Sequence, residues 1–214
     1  MQRKKLSEQI IETCLLMEAK GLNQGTSGNV SVRYETGMLI TPTGVAYEHM
    51  NVDDIVFVDI DETFEERKSP SSEYKFHLAC YKSRNDINAV VHNHAVNATA
   101  VSILNKNIPA VHYMVAATGK NYVPCVPYAT FGTEELSMYV EQGIKESKAI
   151  LLQHHGMIAA EVNLEKALWL AVEIETLAKM YLKLLSITDV PPVLSDEQMD
   201  KVVKKFDSYG LKSK

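Results

Sequence analysis

Cysteine is scarce. The 214-residue chain has three, Cys14, Cys80 and Cys125. They are far apart, odd in number and set among apolar neighbours, which excludes a disulfide framework and a CxxC zinc site. They read as buried free thiols in a reducing cytoplasm, so any metal must be held by nitrogen and oxygen. An excess of basic charge is also missing: 22 Lys and Arg stand against 27 Asp and Glu, for a net charge of -5. The basic residues are scattered rather than gathered in a stripe, which argues against nucleic acid as a partner. No apolar run approaches the roughly 20 residues that span a bilayer. The basic start "MQRKKLSEQIIETCLLMEAKG" is broken by Glu8, Glu12, Glu18 and Lys20, unlike the unbroken apolar segment of a signal peptide. The expectation is a soluble, cytoplasmic protein with no membrane partner. GxGxxG and GxxxxGK[ST] loops are absent, so nucleotide binding has no support. Repeats and low-complexity segments are absent as well.

What is present suits an ordinary globular chain, 46% hydrophobic and 23% charged, long enough to bury a substantial core as one domain over residues 1–214. Leu6, Ile10, Cys14 and Met17 recur at helical spacing before Gly21, which predicts a helix from about 4 to 20. "GNVSVRY", "GMLIT" and "DIVFVDI" read as strands of one sheet. "SSEYKFHLACYKS" reads as a helix, "INAVVHNH" as a buried strand and "AVNATAVSILN" as a helix. "AVHYMVA" and "YVPCVPY" are expected strands. Thr133 is placed to cap a helix with Glu134 and Glu135 in its first turn, and "AILLQHHGMIAA" gives two short strands around Gly156. Asn163 caps the longest helix, Pro191 and Pro192 end the region after it, and Ser195 with Gln198 forms a capping box. The tail at about 205–214 is expected to be exposed and flexible.

Residues i and i+2 of a strand share a face, so His92 and His94 are placed to present two imidazoles side by side. An HxH pair is short, and two hydrogen-bonded strand-end histidines would look the same. A third imidazole is available in "QHHG", where Gly156 allows a tight turn and either His154 or His155 points inward. Three histidines and an oxygen donor make a tetrahedral site suited to Zn²⁺. Glu73, just after two serines at a helix start, is the candidate acid.

Phosphate binds where helix N-termini, small residues and hydroxyls meet. Three segments have that character: "NQGTSGN" (23–29), "TPTG" (41–44) and "PSSE" (70–73). Each alone is also an ordinary turn or cap.

Together, "GLNQGTSGNVSVR", "LITPTG", "PSSE", "VVHNHAV", "PYATFGTEEL" and "LLQHHGMI" resemble the class II, metal-dependent sugar-phosphate aldolases. The resemblance runs from the first helix to "SYGL" and covers almost the whole chain. It implies an α/β fold, a three-layer α/β/α domain with a largely antiparallel central sheet, assembled as a homotetramer with sites at subunit interfaces. It implies one Zn²⁺ per subunit on His92, His94 and His155, with Glu73 alternating between ligand and catalytic acid/base. It places a substrate phosphate among Thr26, Gly28, Asn29, Thr43, Gly44, Ser71 and Ser72. It makes Tyr113 a proton donor to a neighbouring subunit's site, and gives Phe131, Phe206 and Tyr209 the aldehyde half. The reaction expected from it is reversible cleavage of a small phosphorylated ketose, L-fuculose 1-phosphate, to dihydroxyacetone phosphate and L-lactaldehyde. A pentulose-5-phosphate 4-epimerase or a non-catalytic scaffold domain of the same fold are the alternatives. No Schiff-base lysine is expected, because Lys75 has no desolvating context.

Overall fold

Strand alternation sorts the apolar residues into two groups. In the computed structural model, which describes residues 1–65 and 69–206, the strands are β1 (Asn29–Tyr34), β2 (Gly37–Ile40), β3 (Val56–Asp59), β4 (Ala89–Asn93), β5 (Cys125–Val126), β6 (Ala149–Leu152) and β7 (Gly156–Glu161). They form one sheet in the order β3-β2-β1-β4-β7-β6-β5. Every neighbouring pair is antiparallel except β5 with β6. The helices are α1 (Gln2–Ala19), α2 (Tyr74–Ser83), α3 (Val96–Ile103), α4 (Glu134–Glu146), α5 (Leu164–Leu185) and α6 (Asp196–Phe206).

One face of the sheet, with Val30, Val91, Leu151 and Ala159, packs against Ile10 and Met17 of α1, Val101 of α3 and Ile174 of α5. The other, with Ile40, Val90, Ile150 and Ile158, packs against Phe76 and Tyr81 of α2 and Val140 and Ile144 of α4. This is the expected three-layer α/β/α arrangement. β4 lies between β1 and β7 and is buried along its whole length, which is why "AVVH" has no polar alternation. A fully buried large aliphatic side chain such as Ile150 stabilises the fold by roughly 1.5–3 kcal/mol.

The helix signals hold closely. α1 runs from 2 to 19. The Thr133 side chain accepts from the Leu136 N–H, and that of Asn163 from the Lys166 N–H. Ser195 and Gln198 exchange both capping-box bonds.

Two expected strands are corrected. "AVHYMVA" forms a 3-10 helix, Tyr113–Thr118, begun by the His112 ring accepting the Met114 N–H at 3.3 Å. Gly119 at φ +82° ends it, so a side-chain cap and a left-handed stop override the β-branched composition. "YVPCVPY" keeps only Cys125–Val126 as a strand, because Pro124 and Pro127 on either side lack the N–H a ladder needs. Cys14 and Cys80 are buried as expected, whereas Cys125 is only half-buried.

Candidate active site

Four side chains converge at one end of β4. His92 and His94 lie on the same side as Val90, facing α2. His92 is fully buried, with the Phe76 ring edge-on at 5.2 Å between centroids. β7 pairs with β4 so that Asn93 stands opposite Met157, which sets the β6–β7 turn beside the end of β4. In that turn His154 takes φ +55° and is exposed, and His155 turns inward. The ring centroids of His92, His94 and His155 are 4.9–5.0 Å apart, and their candidate ligand nitrogens all lie within 4.8 Å of one another.

The donor set fits a divalent metal. His92 Nδ1–H donates to the Met157 carbonyl at 2.9 Å, which leaves the Nε2 lone pair free. His92 Nε2 is 3.1 Å from His94 Nε2, close to the roughly 3.3 Å expected of two nitrogens bound tetrahedrally to one ion at ~2.0–2.1 Å. Glu73 completes the group, with Oε2 3.2 Å from His92 Nε2 and Oε1 3.0 Å from His155 Nε2. Glu73 Oε1 is buried and accepts no hydrogen bond, a cost that a cation in reach would remove. Burial, reinforced by the neighbouring His92 and His155 rings, pushes the His94 pKa down to about 3, so that ring is neutral, the form that binds metal. Burial raises the Glu73 pKa, but the electrostatic pull of the adjacent His92 and His155 rings outweighs it and holds the carboxyl well below the usual carboxylate range.

A cleft of about 330 Å³ opens onto this group. Thr26 and Gly28 line one side, Thr43 and Gly44 a second, and Ser71 and Ser72 a third, with Glu73, His94 and His155 among them. Backbone pairing brings the loops together. The Thr43 N–H donates to Ser69 O at 3.0 Å and the Ser71 N–H to Thr41 O at 2.9 Å, around a Pro42–Pro70 bridge. The first loop is tied to the histidine strand: Asn23 Oδ1 accepts the His94 N–H at 3.3 Å. Asn23 Nδ2 donates to Tyr47 OH at 2.8 Å, and that hydroxyl donates to Gly28 O at 2.7 Å.

The model of the Class II Aldolase and Adducin N-terminal domain family matches residues 8–182. The chain belongs to this family. An L-fuculose phosphate aldolase of Escherichia coli (strain K12) is 64% identical over 212 residues, 99% of each chain. A 5-methylthioribulose-1-phosphate/5-deoxyribulose-1-phosphate aldolase of Escherichia coli O45:K1 is 58% identical over 213 residues, the full length of both. A solved L-fuculose 1-phosphate aldolase superposes with a TM-score of 0.91 at 34% identity, covering 95% of this chain and 96% of that one.

In this class II aldolase Gly156 has a different reason from the one expected. The left-handed turn residue is His154. Gly156 is needed because a Cβ there would lie 2.4 Å from Asn93 O and 2.8 Å from His94 Cδ2. Gly156→Ala is therefore expected to destabilise the fold by about 1–3 kcal/mol and to loosen metal retention by displacing His94. A melting curve and bound-metal content both equal to wild type would contradict this.

The remaining expected residues divide. Phe131 lines the cleft, together with His154, the alternative third imidazole, and Tyr128, which the sequence did not single out. Tyr113 is half exposed, against the His112 ring, and does not line the cleft of its own chain. Phe206 ends α6, half-buried against the core on the opposite face. Tyr209 lies outside the described residues. Asn29 lines the cleft, but its amide bonds to Glu73 Oε2 at 2.8 Å and to His77 Nε2 at 2.6 Å. His77 went unnoticed, although its position four residues after Glu73 on one helix face is a signal. Lys75 pairs with Glu134 and, at 3.9 Å, with Glu62. Its hydrogen bond to the Glu134 carboxylate raises its pKa, the wrong direction for a Schiff-base nucleophile.

Proposed function

We propose that this class II aldolase reversibly cleaves L-fuculose 1-phosphate to dihydroxyacetone phosphate and L-lactaldehyde, with one Zn²⁺ per subunit on His92, His94 and His155. The observation that carries the proposal is the convergence of three imidazoles and an unpartnered Glu73 oxygen beside a cleft lined by three hydroxyl- and glycine-rich loops. Zn²⁺ there would supply Lewis-acid polarisation of the substrate's carbonyl oxygen. The hydroxyls of Thr26, Thr43, Ser71 and Ser72 and the backbone of Gly28, Asn29 and Gly44 bind the phosphate, helped by the positive end of α2. In the synthetic direction Glu73 takes the carbon-bound proton of dihydroxyacetone phosphate, and in cleavage it returns that proton.

The assembly is a homotetramer in which Tyr113 serves the neighbouring subunit's cleft and protonates the aldehyde oxygen. Its exposure and its having no part in lining its own chain's cleft support that reading. Phe131, with Phe206 and Tyr209, positions the aldehyde half. No helix among the described residues is long and apolar enough to cross a membrane, in keeping with a cytoplasmic enzyme.

The 58% identity to a 5-methylthioribulose-1-phosphate/5-deoxyribulose-1-phosphate aldolase favours a second reading. Cleavage of either ketose 1-phosphate between C3 and C4 releases dihydroxyacetone phosphate, and only the aldehyde differs. A coupled assay of dihydroxyacetone phosphate release separates the two. The expected result is a higher kcat/KM for L-fuculose 1-phosphate than for 5-deoxyribulose 1-phosphate, and no xylulose 5-phosphate from ribulose 5-phosphate. The reverse order moves the assignment to the second substrate, and epimerisation without triose release rejects the aldolase reading.

A further inference from the structure

Behind Glu73 a line of polar groups runs into the core, away from the cleft. Asn29, Ser31, His77 and Tyr81 are 5%, 0%, 0% and 1% exposed, so water does not stand in for a missing partner. The contacts are Asn29 Nδ2 to Glu73 Oε2 at 2.8 Å, His77 Nε2 to Asn29 Oδ1 at 2.6 Å, Ser31 Oγ to His77 Nδ1 at 2.7 Å and Tyr81 OH to Ser31 Oγ at 2.7 Å.

The donors follow from one fact, that a carboxylate only accepts. Asn29 must turn its NH₂ to Glu73, which leaves Oδ1 as the acceptor facing His77. His77 therefore carries its proton on Nε2. Burial, reinforced by the nearby His92 ring, pushes its pKa down to about 3, so the ring holds one proton and Nδ1 is bare. Nδ1 accepts from the Ser31 hydroxyl, whose oxygen accepts from Tyr81. Every bond donates toward Glu73, the arrangement in which successive hydrogen bonds polarise one another.

We infer that His77, held by Ser31, is a positioning residue for catalysis: it locks the Asn29 amide so that Glu73 Oε2 is clamped and Oε1 alone is left to exchange a proton. The inference rests on the aldolase reading of the site. Nothing else among the described contacts fixes that amide. Were it to turn over, its oxygen would face Oε2 at the same 2.8 Å and the carboxylate would swing out of line. His77 itself has no place in the cleft lining. It stacks on Phe76 at 4.9 Å between centroids, so its ring orientation is set from the core side.

The test uses the zinc-loaded full-length enzyme with His77→Leu, His77→Gln and Ser31→Ala. Four quantities are read: kcat and KM for cleavage, Glu73-dependent exchange of deuterium from solvent into dihydroxyacetone phosphate without aldehyde, zinc affinity by chelator competition, and inhibition by inorganic phosphate. His77→Leu is expected to lower kcat and the exchange rate about 10–100-fold, with KM, zinc affinity and phosphate inhibition within about threefold. His77→Gln places an N–H near the Nε2 position and should recover most of the loss. Ser31→Ala frees the ring to move its proton to Nδ1, and should lower the exchange rate even if His77→Leu does not fold.

Exchange rates within about twofold of wild type in Ser31→Ala, or in a folded His77→Leu, overturn the inference. So does a loss that follows zinc dissociation, or one that glutamine fails to recover. A wild-type enzyme that neither exchanges nor cleaves overturns the aldolase reading instead. One that exchanges but does not cleave L-fuculose 1-phosphate overturns only the choice of aldehyde.

Discussion

Glu73→Gln is expected to remove turnover while leaving the site assembled. Glutamine has the shape of glutamate, and its carbonyl oxygen still accepts the Asn29 N–H now given to Oε2 at 2.8 Å. The three imidazoles stay where β4 and the β6–β7 turn hold them. What is lost is the group proposed to take up and return a proton. A positioned acid/base contributes about 10²–10⁴ in rate, and dihydroxyacetone phosphate release should fall by about that factor. Zinc content and inhibition by inorganic phosphate should change little, because neither the histidines nor the three loops have moved. Retention of more than about a tenth of wild-type turnover, with zinc bound, would show that another group moves the proton.

Metal removal should have an effect at least as large. Chelation is expected to abolish cleavage and added Zn²⁺ to restore it. Lewis-acid stabilisation is worth several kcal/mol, which is roughly a thousandfold or more in rate. His92→Ala should reproduce the loss without rescue. It deletes one ligand of the set and leaves the Met157 carbonyl without the N–H it accepts at 2.9 Å. Bound zinc, measured by atomic emission, should fall with the activity. The opposing mechanism runs through an amine, and sodium borohydride added with dihydroxyacetone phosphate would trap it as an adduct. With Lys75 held protonated by Glu134, no adduct is expected. An adduct, or full turnover after exhaustive chelation, would place the chemistry elsewhere.

The parts of this architecture visible in the sequence are those set by short-range periodicity. Leu6, Ile10, Cys14 and Met17 mark one stripe of α1, and the two-residue repeat puts His92 and His94 on one side of β4. Local caps at Thr133, Asn163 and Ser195 mark helix starts because each satisfies its own backbone. What could not be seen depends on pairing between distant segments. The turn loops at 41–44 and 70–73 are recognisable separately, whereas their Pro42–Pro70 bridge is a long-range contact. Spacing alone leaves His154 and His155 equivalent; the family resemblance picks His155, and the left-handed His154 in the β6–β7 turn accompanies its turning inward. The stretch at 110–116 reads as a strand because Val111 and Val115 favour one, and the cap from the His112 ring reverses that preference. Partners of the Asn29 amide lie 44 and 48 residues away, beyond the reach of any spacing rule.

Glu73 also occupies the N-cap position of α2 and makes no side-chain capping bond there. A serine, aspartate or asparagine capping that helix in the usual way is worth about 1 kcal/mol. The carboxylate instead sits buried among imidazoles, with one oxygen lacking any hydrogen bond. Selection for folding alone would not keep glutamate at this position. On the proposed mechanism, residue 73 is thus a point where a more durable protein and a working enzyme require different side chains, so that relieving the buried carboxylate would come at the expense of activity.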